Sequence, residues 1–322
     1  MQRYVVALGA GCAAAFLFAV SAEASPIAML LAYLAPLPIM IATIGWGLDV
    51  GAIAAGAAVA GLTLIIEPLT GLIYAGSLAL PAWLLAAFAA TPLARYLPAR
   101  APAEPYPPVG ALVTLAAVIG MLGAAAVLTT VIVVYHGYAE GAVAVAGRLA
   151  AMADAFGDPA DSAEAAALAG ALVRVGPAAI AASTLLMLCV NLYAAARSVQ
   201  LSHGLKRPWP DLPASLALPA PLAVLGVVAA AAAFALPAPA SQYAGVAAGG
   251  LGAAFVFQGL AVAHALSRGL KFRTLMLVAL YACCVLRAKY TLPVLALIGV
   301  LDAFVRLRVR AAALPSRPKA QE

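Results

Sequence analysis

The chain has 322 residues, of which 66% are hydrophobic and only 9% are charged, and its mean hydropathy is +1.06. Soluble globular proteins average about 45–50% apolar and about 25% charged residues, so this composition excludes a water-soluble protein. Apolar runs of the roughly 20 residues that a spanning helix needs recur along the chain, for example Val109–Tyr135. The runs are continuous and lack the alternation of barrel strands. The sequence therefore predicts an all-α polytopic transmembrane helix bundle.

About eight to ten spans are expected, because the last two runs are short and together could form one hairpin. The first run is followed by Ala22-Glu23-Ala24, a small-residue pattern that resembles a signal cleavage site. We expect an uncleaved first helix instead, since a polytopic chain needs no cleaved signal. The predicted spans lie at residues 4–21, 27–45, 49–66, 71–91, 109–135, 173–197, 217–236, 243–267, 274–287 and 291–305.

The basic residues set the expected orientation. If the N-terminus is cytoplasmic, all but four of the 18 lysines and arginines fall on the cytoplasmic side, and Arg148, Arg174, Arg287 and Lys289 remain outside. Cytoplasmic loops carry an excess of Lys and Arg, so this asymmetry predicts that both termini are cytoplasmic. It also explains the net charge of +6 without a nucleic-acid partner. We expect the inner membrane of a bacterium as the location and the lipid bilayer as the main partner.

We expect a single integral membrane domain over residues 1–310, with a short basic cytoplasmic tail at 311–322. The proline-rich segment Ala101–Pro108 cannot be helical, and it divides a four-span N-terminal half (about 1–95) from a C-terminal half (about 109–310). The acidic outer segment Glu140–Arg174 contains Gly157-Asp158-Pro159, which breaks it in two. It predicts two short amphipathic helices on the membrane surface. A lid over an outward pocket is the alternative.

Catalytic and metal-binding motifs are nearly absent. The sequence has no HExxH, GxSxG or P-loop, and its four cysteines lack CxxC spacing. His136 and Glu140 are four residues apart, which is too weak a signal for a metal site beside ordinary interfacial solvation. We therefore expect no catalytic residues, no metal and no cofactor, and hence no enzyme.

Polar residues inside the spans are few. Asn191, Gln258 and His264 are expected to form hydrogen bonds between helices, and Asp302 is expected to pair with Arg306 four residues later. Small residues recur in two helices, where they let helix backbones approach closely. Packing within the chain is the first explanation and docking of partner proteins the second. These small residues are Gly47, Gly51, Gly56 and Gly61 in the third span and Gly245, Gly249, Gly250 and Gly252 in the eighth.

The predicted topology places five polar or aromatic residues near the outer ends of the spans: Glu67, Tyr74, Arg287, Lys289 and Tyr290. They are the candidate ligand-binding residues, because sites in helix bundles form between helices from a few convergent polar groups. The two cations are suited to an anionic group and the tyrosines to a ring. The alternative is an interfacial belt, in which the cations snorkel to lipid headgroups and the tyrosines lie among them.

Three segments resemble the YybS-like family of uncharacterised bacterial multi-pass membrane proteins. They are Ser25–Gly47 (SPIAMLLAYLAPLPIMIATIGWG), Glu104–Gly110 (EPYPPVG) and Leu297–Arg310 (LIGVLDAFVRLRVR). That family is remotely similar to the substrate-binding S components of energy-coupling-factor transporters, which have six spans and an outward pocket. The resemblance implies a subunit that binds and helps to transport a small solute. The alternative is a membrane scaffold or assembly factor that holds partner proteins through its small-residue helix faces.

The orientation can be tested by cysteine labelling after the endogenous cysteines are changed to serine. In intact cells, an impermeant thiol reagent should label Ser162→Cys and leave Ser202→Cys unlabelled, because the charge asymmetry places residues 140–174 outside. Labelling of Ser202→Cys without labelling of Ser162→Cys would contradict the predicted topology.

Overall fold

The fold is described from a computed structural model, which covers residues 1–23, 26–93, 105–156, 162–202 and 204–313. Within these residues every regular element is helical, and eight helices are long and apolar enough to cross a membrane. The predicted all-α polytopic fold is thereby confirmed. The chain forms two compact units, the first comprising Met1–Thr129 with Ser183–Trp209 and the second Thr130–Ala182 with Pro210–Glu322.

The first unit contains the N-terminal helices and the C-terminal part of a long helix that arrives from the second. Its elements are α1 (Gln2–Ala19), a 3₁₀ turn (Val20–Glu23), α2 (Pro26–Tyr33), α3 (Pro36–Trp46), α4 (Leu48–Ile65), α5 (Pro68–Tyr74), a π-helical turn (Ala75–Ala79), α6 (Leu80–Ala90) and most of α7 (Val109–Val134).

The second unit contains α8 (Tyr138–Phe156), the N-terminal part of α9 (Ser162–Leu201) and all later helices. Each of the ten predicted spans corresponds to an apolar helical segment, although α11 and α13 are shorter than the other eight spans and two spans contain more than one helix. The later helices are α10 (Leu212–Ser215), α11 (Ala220–Ala235), α12 (Ala240–Leu266), α13 (Arg273–Leu286), α14 (Ala288–Val305) and α15 (Leu307–Ala313).

Two predicted elements differ in the structure. The span predicted at 27–45 is interrupted between α2 and α3. The second surface helix predicted within Glu140–Arg174 is not separate, because α9 runs unbroken for 40 residues through Pro177. Its apolar spanning part begins at Val173. The predicted break at residues 157–159 lies outside the described residues.

A tight turn joins α3 to α4 in the first unit. Gly47 has a φ of 119°, a conformation that side-chain-bearing residues rarely adopt. Arg3 of α1 secures the turn, since its guanidinium donates to the Trp46 carbonyl at 2.8 Å and to the Asp49 carboxylate at 3.0 Å. The Trp83 indole donates to the Leu48 carbonyl at 2.9 Å.

Helices α12 and α14 approach at backbone distance in the second unit. A Cβ placed on Gly259 would collide with the Leu295 carbonyl, and one on Gly299 would collide with the Phe255 carbonyl. Because lipid tails are as apolar as leucine, such close packing replaces the hydrophobic effect as a force between membrane helices. At these two positions glycine is therefore required by neighbouring backbone.

Gly299→Ala should lower the stability of the protein by about 1–3 kcal/mol, the usual cost of forcing one extra group into a packed contact. Gly252→Ala in α12 is the matched control, because an added Cβ there has no neighbour within 4 Å. Both changes add the same helix propensity. The measurement is the melting temperature in detergent, followed by far-ultraviolet circular dichroism. Equal melting temperatures for the two variants would contradict the close α12–α14 contact.

Candidate functional site

The interruption of the second span is caused by two prolines. Pro36 and Pro38 have no N–H, so the carbonyls of Ala32 and Leu34 lose the donor that lies four residues ahead in a regular helix. Each carbonyl accepts from the residue three ahead instead, Ala35 N–H to Ala32 at 3.1 Å and Leu37 N–H to Leu34 at 2.9 Å. We call residues 32–38 the helix break.

A buried asparagine from α9 completes the helix break. The Asn191 Nδ2 donates to the Tyr33 carbonyl at 2.8 Å and to the Met187 carbonyl, one turn earlier in α9, also at 2.8 Å. Asn191 is 1% exposed, and its Oδ1 has no hydrogen-bond partner among the described residues. The interhelical role predicted for Asn191 is confirmed, and the structure adds a spare buried acceptor.

The helix break lies near the middle of both candidate spans that form it. Ala35 is eight residues into the span Ile27–Trp46, or about 12 Å at 1.5 Å per residue. Asn191 lies ten residues, about 15 Å, before the end of the span Val173–Leu201. A bilayer core is about 30 Å thick. The backbone there stays close to helical, since Ala35 has right-handed helical dihedral angles and the hydrogen bonds at the helix break join residues three apart, as in a 3₁₀ turn.

A second irregularity in the same unit surrounds Tyr74, one of the five predicted site residues. The Tyr74 ring is fully buried, its centroid is 4.9 Å from that of Phe18, and its hydroxyl has no partner among the described residues. The π-helical turn Ala75–Ala79 follows directly. Pro81 accounts for it, because a proline clashes with the carbonyl four residues before it and a wider turn relieves that clash.

Glu67 precedes α5 on the exposed surface of the first unit, and its Oε1 accepts from the Thr70 hydroxyl at 2.9 Å. Arg287, Lys289 and Tyr290 belong to the second unit. Arg287 is the exposed junction between α13 and α14, and the Lys289 Nζ lies 4.9 Å from the centre of the exposed Tyr290 ring. Their exposure suits the interfacial-belt alternative for these three residues, whereas the burial of Tyr74 does not suit a belt. Convergence of the five on one ligand stays a prediction.

The second unit contains a buried polar network that joins four segments. The Gln258 Nε2 donates to the Asp302 carboxylate at 2.9 Å, and the Gln258 Oε1 accepts from the Leu218 N–H at 2.8 Å. The Arg308 guanidinium donates to the same carboxylate at 2.7 Å. It also donates to the carbonyls of Pro213 and Leu216, at 2.7 Å and 2.6 Å.

The predicted pairing of Asp302 with Arg306 is wrong, because the helix ends before it can form. Helix α14 stops at Val305, and Arg306 takes the left-handed conformation with φ of 53°. The chain then turns so that Arg308, not Arg306, reaches Asp302. The predicted interhelical role of Gln258 is confirmed.

Two further polar contacts lie near the C-terminal end of α12. His264 is 2.9 Å from the Tyr281 hydroxyl of α13, which confirms its predicted interhelical hydrogen bond. Arg268 donates two hydrogen bonds to Asp211, at 2.7 Å and 2.5 Å. These bonds hold the pKa of the Asp211 carboxyl below its ordinary value. The pair therefore stabilises the fold above that ordinary pKa and is lost as the pH falls through the lowered value.

Sequence reasoning missed the helix break, although the signal was present. The spacing Pro36-Leu37-Pro38 removes two N–H donors within one turn, and hydropathy alone does not register this. Nothing in the sequence pairs Asn191 with Tyr33, which is 158 positions away.

The fold and the helix break define a multi-pass helical membrane protein with a buried polar site inside the bundle. Residues 12–303 match the family described as "Predicted membrane protein (DUF2232)", and the chain belongs to that family. The expectation of an uncharacterised multi-pass membrane family is confirmed. No curated protein and no solved structure matches the chain.

The buried network can be tested by removing its cation. Arg308→Met should destabilise the protein by about 3–5 kcal/mol, because it leaves the Asp302 carboxylate buried and uncompensated. Arg310→Met is the control, since Arg310 is exposed in the same helix. Removing the carboxylate as well, in Asp302→Leu with Arg308→Met, should recover part of the loss. Thermal unfolding in detergent measures all three, and an Arg308→Met protein as stable as the control would refute the network.

Proposed function

We propose that this protein is a subunit of a membrane transport system in the inner membrane of a bacterium, that it binds a small solute, and that it is not an enzyme. The observation that carries the proposal is the helix break, where a buried Asn191 keeps an unused acceptor near the middle of a candidate span. Secondary transporters build their substrate and ion sites near the midplane from discontinuous helices.

The cost of the arrangement supports a functional origin. A buried polar group without a partner costs roughly 1–3 kcal/mol, and the Asn191 Oδ1 is such a group. A bound ligand that donates a hydrogen bond to this oxygen offsets that cost. The distant resemblance to the S components of vitamin transporters points to the same class of function, as an analogy between folds.

The proposal is tested by native mass spectrometry of the protein purified from bacterial membranes in mild detergent. We expect a co-purifying small molecule that is retained by the wild type and lost from Asn191→Leu. Gln200→Leu is the matched control, because it removes an amide from the same helix beside the exposed Arg197. Size-exclusion profiles establish that each variant is folded.

The same measurement separates this site from the one predicted from sequence. Loss of the molecule from Arg287→Gln, with retention by Asn191→Leu, would move the binding site to the residues near the ends of the spans. If the wild type carries no small molecule but holds a protein partner in fixed stoichiometry, the transport proposal fails.

The scaffold alternative is favoured by one surface. Ala52, Gly56 and Ala60 are exposed and four residues apart on α4, and an added Cβ on Gly56 has no neighbour within 4 Å. Small residues in this spacing let a second helix approach closely. Gly51 and Gly249, by contrast, pack against Thr43 and Ala178 of this chain. Gly56→Leu would detach a partner held by the α4 surface and leave a small-molecule site intact.

A further inference from the structure

Among the described main-chain groups of the helix break, hydrogen-bond acceptors outnumber donors. Pro36 and Pro38 have no N–H, and the Leu37 N–H is taken by the Leu34 carbonyl. Asn191 uses its amide nitrogen on two carbonyls. The main-chain N–H groups of Leu34, Ala35 and Leu37 and the Asn191 amide nitrogen are therefore all committed.

Several oxygen atoms at the helix break, in contrast, can accept further hydrogen bonds. The carbonyls of Ala32, Tyr33 and Leu34 each have one hydrogen-bond partner, and a carbonyl oxygen has two lone pairs. The Asn191 Oδ1 lies on the same amide group as the nitrogen that bonds Tyr33, and it has no partner. Turning this amide over would place its oxygen against two carbonyl oxygens and forfeit both bonds, so the contacts fix its orientation.

The two helix ends that meet at the helix break act in opposite directions. Helix α2 ends at Tyr33, and the C-terminal end of a helix favours positive charge, whereas the N-terminal end of α3 favours negative charge. The prolines remove two N–H groups from the start of α3, which makes that end less attractive to an anion. The case for a cation therefore depends on the unused Asn191 Oδ1.

We propose that the helix break binds a small monovalent cation through the Asn191 Oδ1 and the carbonyls of residues 32–34. The cation is either the ammonium group of the transported solute or a free alkali ion that accompanies it. Unwound backbone carbonyls and helix C-terminal ends serve alkali ions in this way in membrane transporters. The inference rests on the proposed function, because it takes the helix break as the binding site, and it specifies the chemistry of the ligand.

The test uses purified wild-type protein in lipid nanodiscs and its melting temperature. Chlorides of sodium, potassium, ammonium and methylammonium are titrated against tetramethylammonium chloride at constant ionic strength. Tetramethylammonium serves as the reference because it has no N–H and is too bulky for closely spaced carbonyls. We expect a saturable rise in melting temperature with at least one small cation, since a ligand that binds only the folded state stabilises it.

The two sources of the cation give different results. A larger effect of ammonium and methylammonium than of the alkali ions would identify the head group of a solute. A larger effect of sodium or potassium would identify a free ion. Either supports the inference.

Pro38→Ala locates the site without removing a buried side chain. The new N–H is positioned to bond the Leu34 carbonyl and so to occupy an acceptor, and alanine also favours the helix. We expect at least a tenfold weaker apparent affinity for the stabilising cation. Pro293→Ala, which relieves a proline inside α14, is the matched control and should keep the wild-type affinity. Asn191→Leu should abolish the effect if it folds.

The inference and the proposed function fail in different ways. If no cation has a saturable effect while an anionic or neutral molecule co-purifies, the inference is overturned and the proposed function stands. A cation effect that is unchanged in Pro38→Ala also overturns it, because the ion then binds elsewhere. A saturable cation effect that is weakened by Pro38→Ala, in a protein that never retains a solute, supports the cation site and counts against solute binding.

Discussion

Inside a bilayer no water is available to bond a free N–H or C=O, and the rest of this structure depends on that constraint. A regular helix satisfies this constraint with hydrogen bonds between its own N–H and C=O groups, and most of the ten apolar helices do so. The informative places are those where the helix is irregular. At these places a side chain from elsewhere in the sequence supplies the missing hydrogen-bond partner. Whether all polar atoms of that side chain are themselves bonded then distinguishes the irregular places from one another.

The two units repair irregular backbone with the same chemistry and different outcomes. In the second unit the Gln258 amide uses both ends, with Leu218 bonded at its oxygen and Asp302 at its nitrogen. Arg308 then neutralises the carboxylate and bonds two further carbonyls. The network is complete and therefore structural: every strong group in it has a partner. In the first unit Asn191 uses only its nitrogen, and its buried oxygen is left over. A complete repair stabilises a fold, whereas an incomplete one near the middle of a span leaves room for a ligand.

The sequence predicted much of this fold because hydropathy measures the one property that membrane insertion selects. All ten predicted spans correspond to apolar helices, and the family expected from three short segments is confirmed. The prediction of regular helices failed where a helix depends on backbone N–H groups that are missing. The two prolines at 36 and 38 are apolar and so invisible to hydropathy, yet they split a span. Pairing by four-residue spacing failed at Asp302, since that spacing holds only while the helix continues and α14 ends at Val305.

The candidate site was harder to predict than the fold, for a related reason. The five residues chosen from sequence were selected by their chemistry and their expected level in the membrane. Of these, Tyr74 alone is buried in the part of the chain that the structure describes, and Arg287, Lys289 and Tyr290 are exposed. The site that we propose consists mainly of main-chain carbonyls, which every residue possesses and no motif records. Asn191 was recognised as polar and intramembrane, but its partner Tyr33 is known only from the fold.

The irregular features of the first unit share a cause that bears on how a ligand would enter. The helix break and the π-helical turn are both associated with prolines inside spans, and a buried polar atom without a partner lies beside each of them, on Asn191 and on Tyr74. Such turns lack part of the hydrogen-bond ladder that stiffens a helix, so they deform at lower cost than regular turns. Close glycine contacts, by contrast, fix α12 against α14 in the second unit, where neither helix can shift without a clash. Capacity for local movement and unused polar groups therefore occur together in the first unit, which is the combination that the proposed solute site needs.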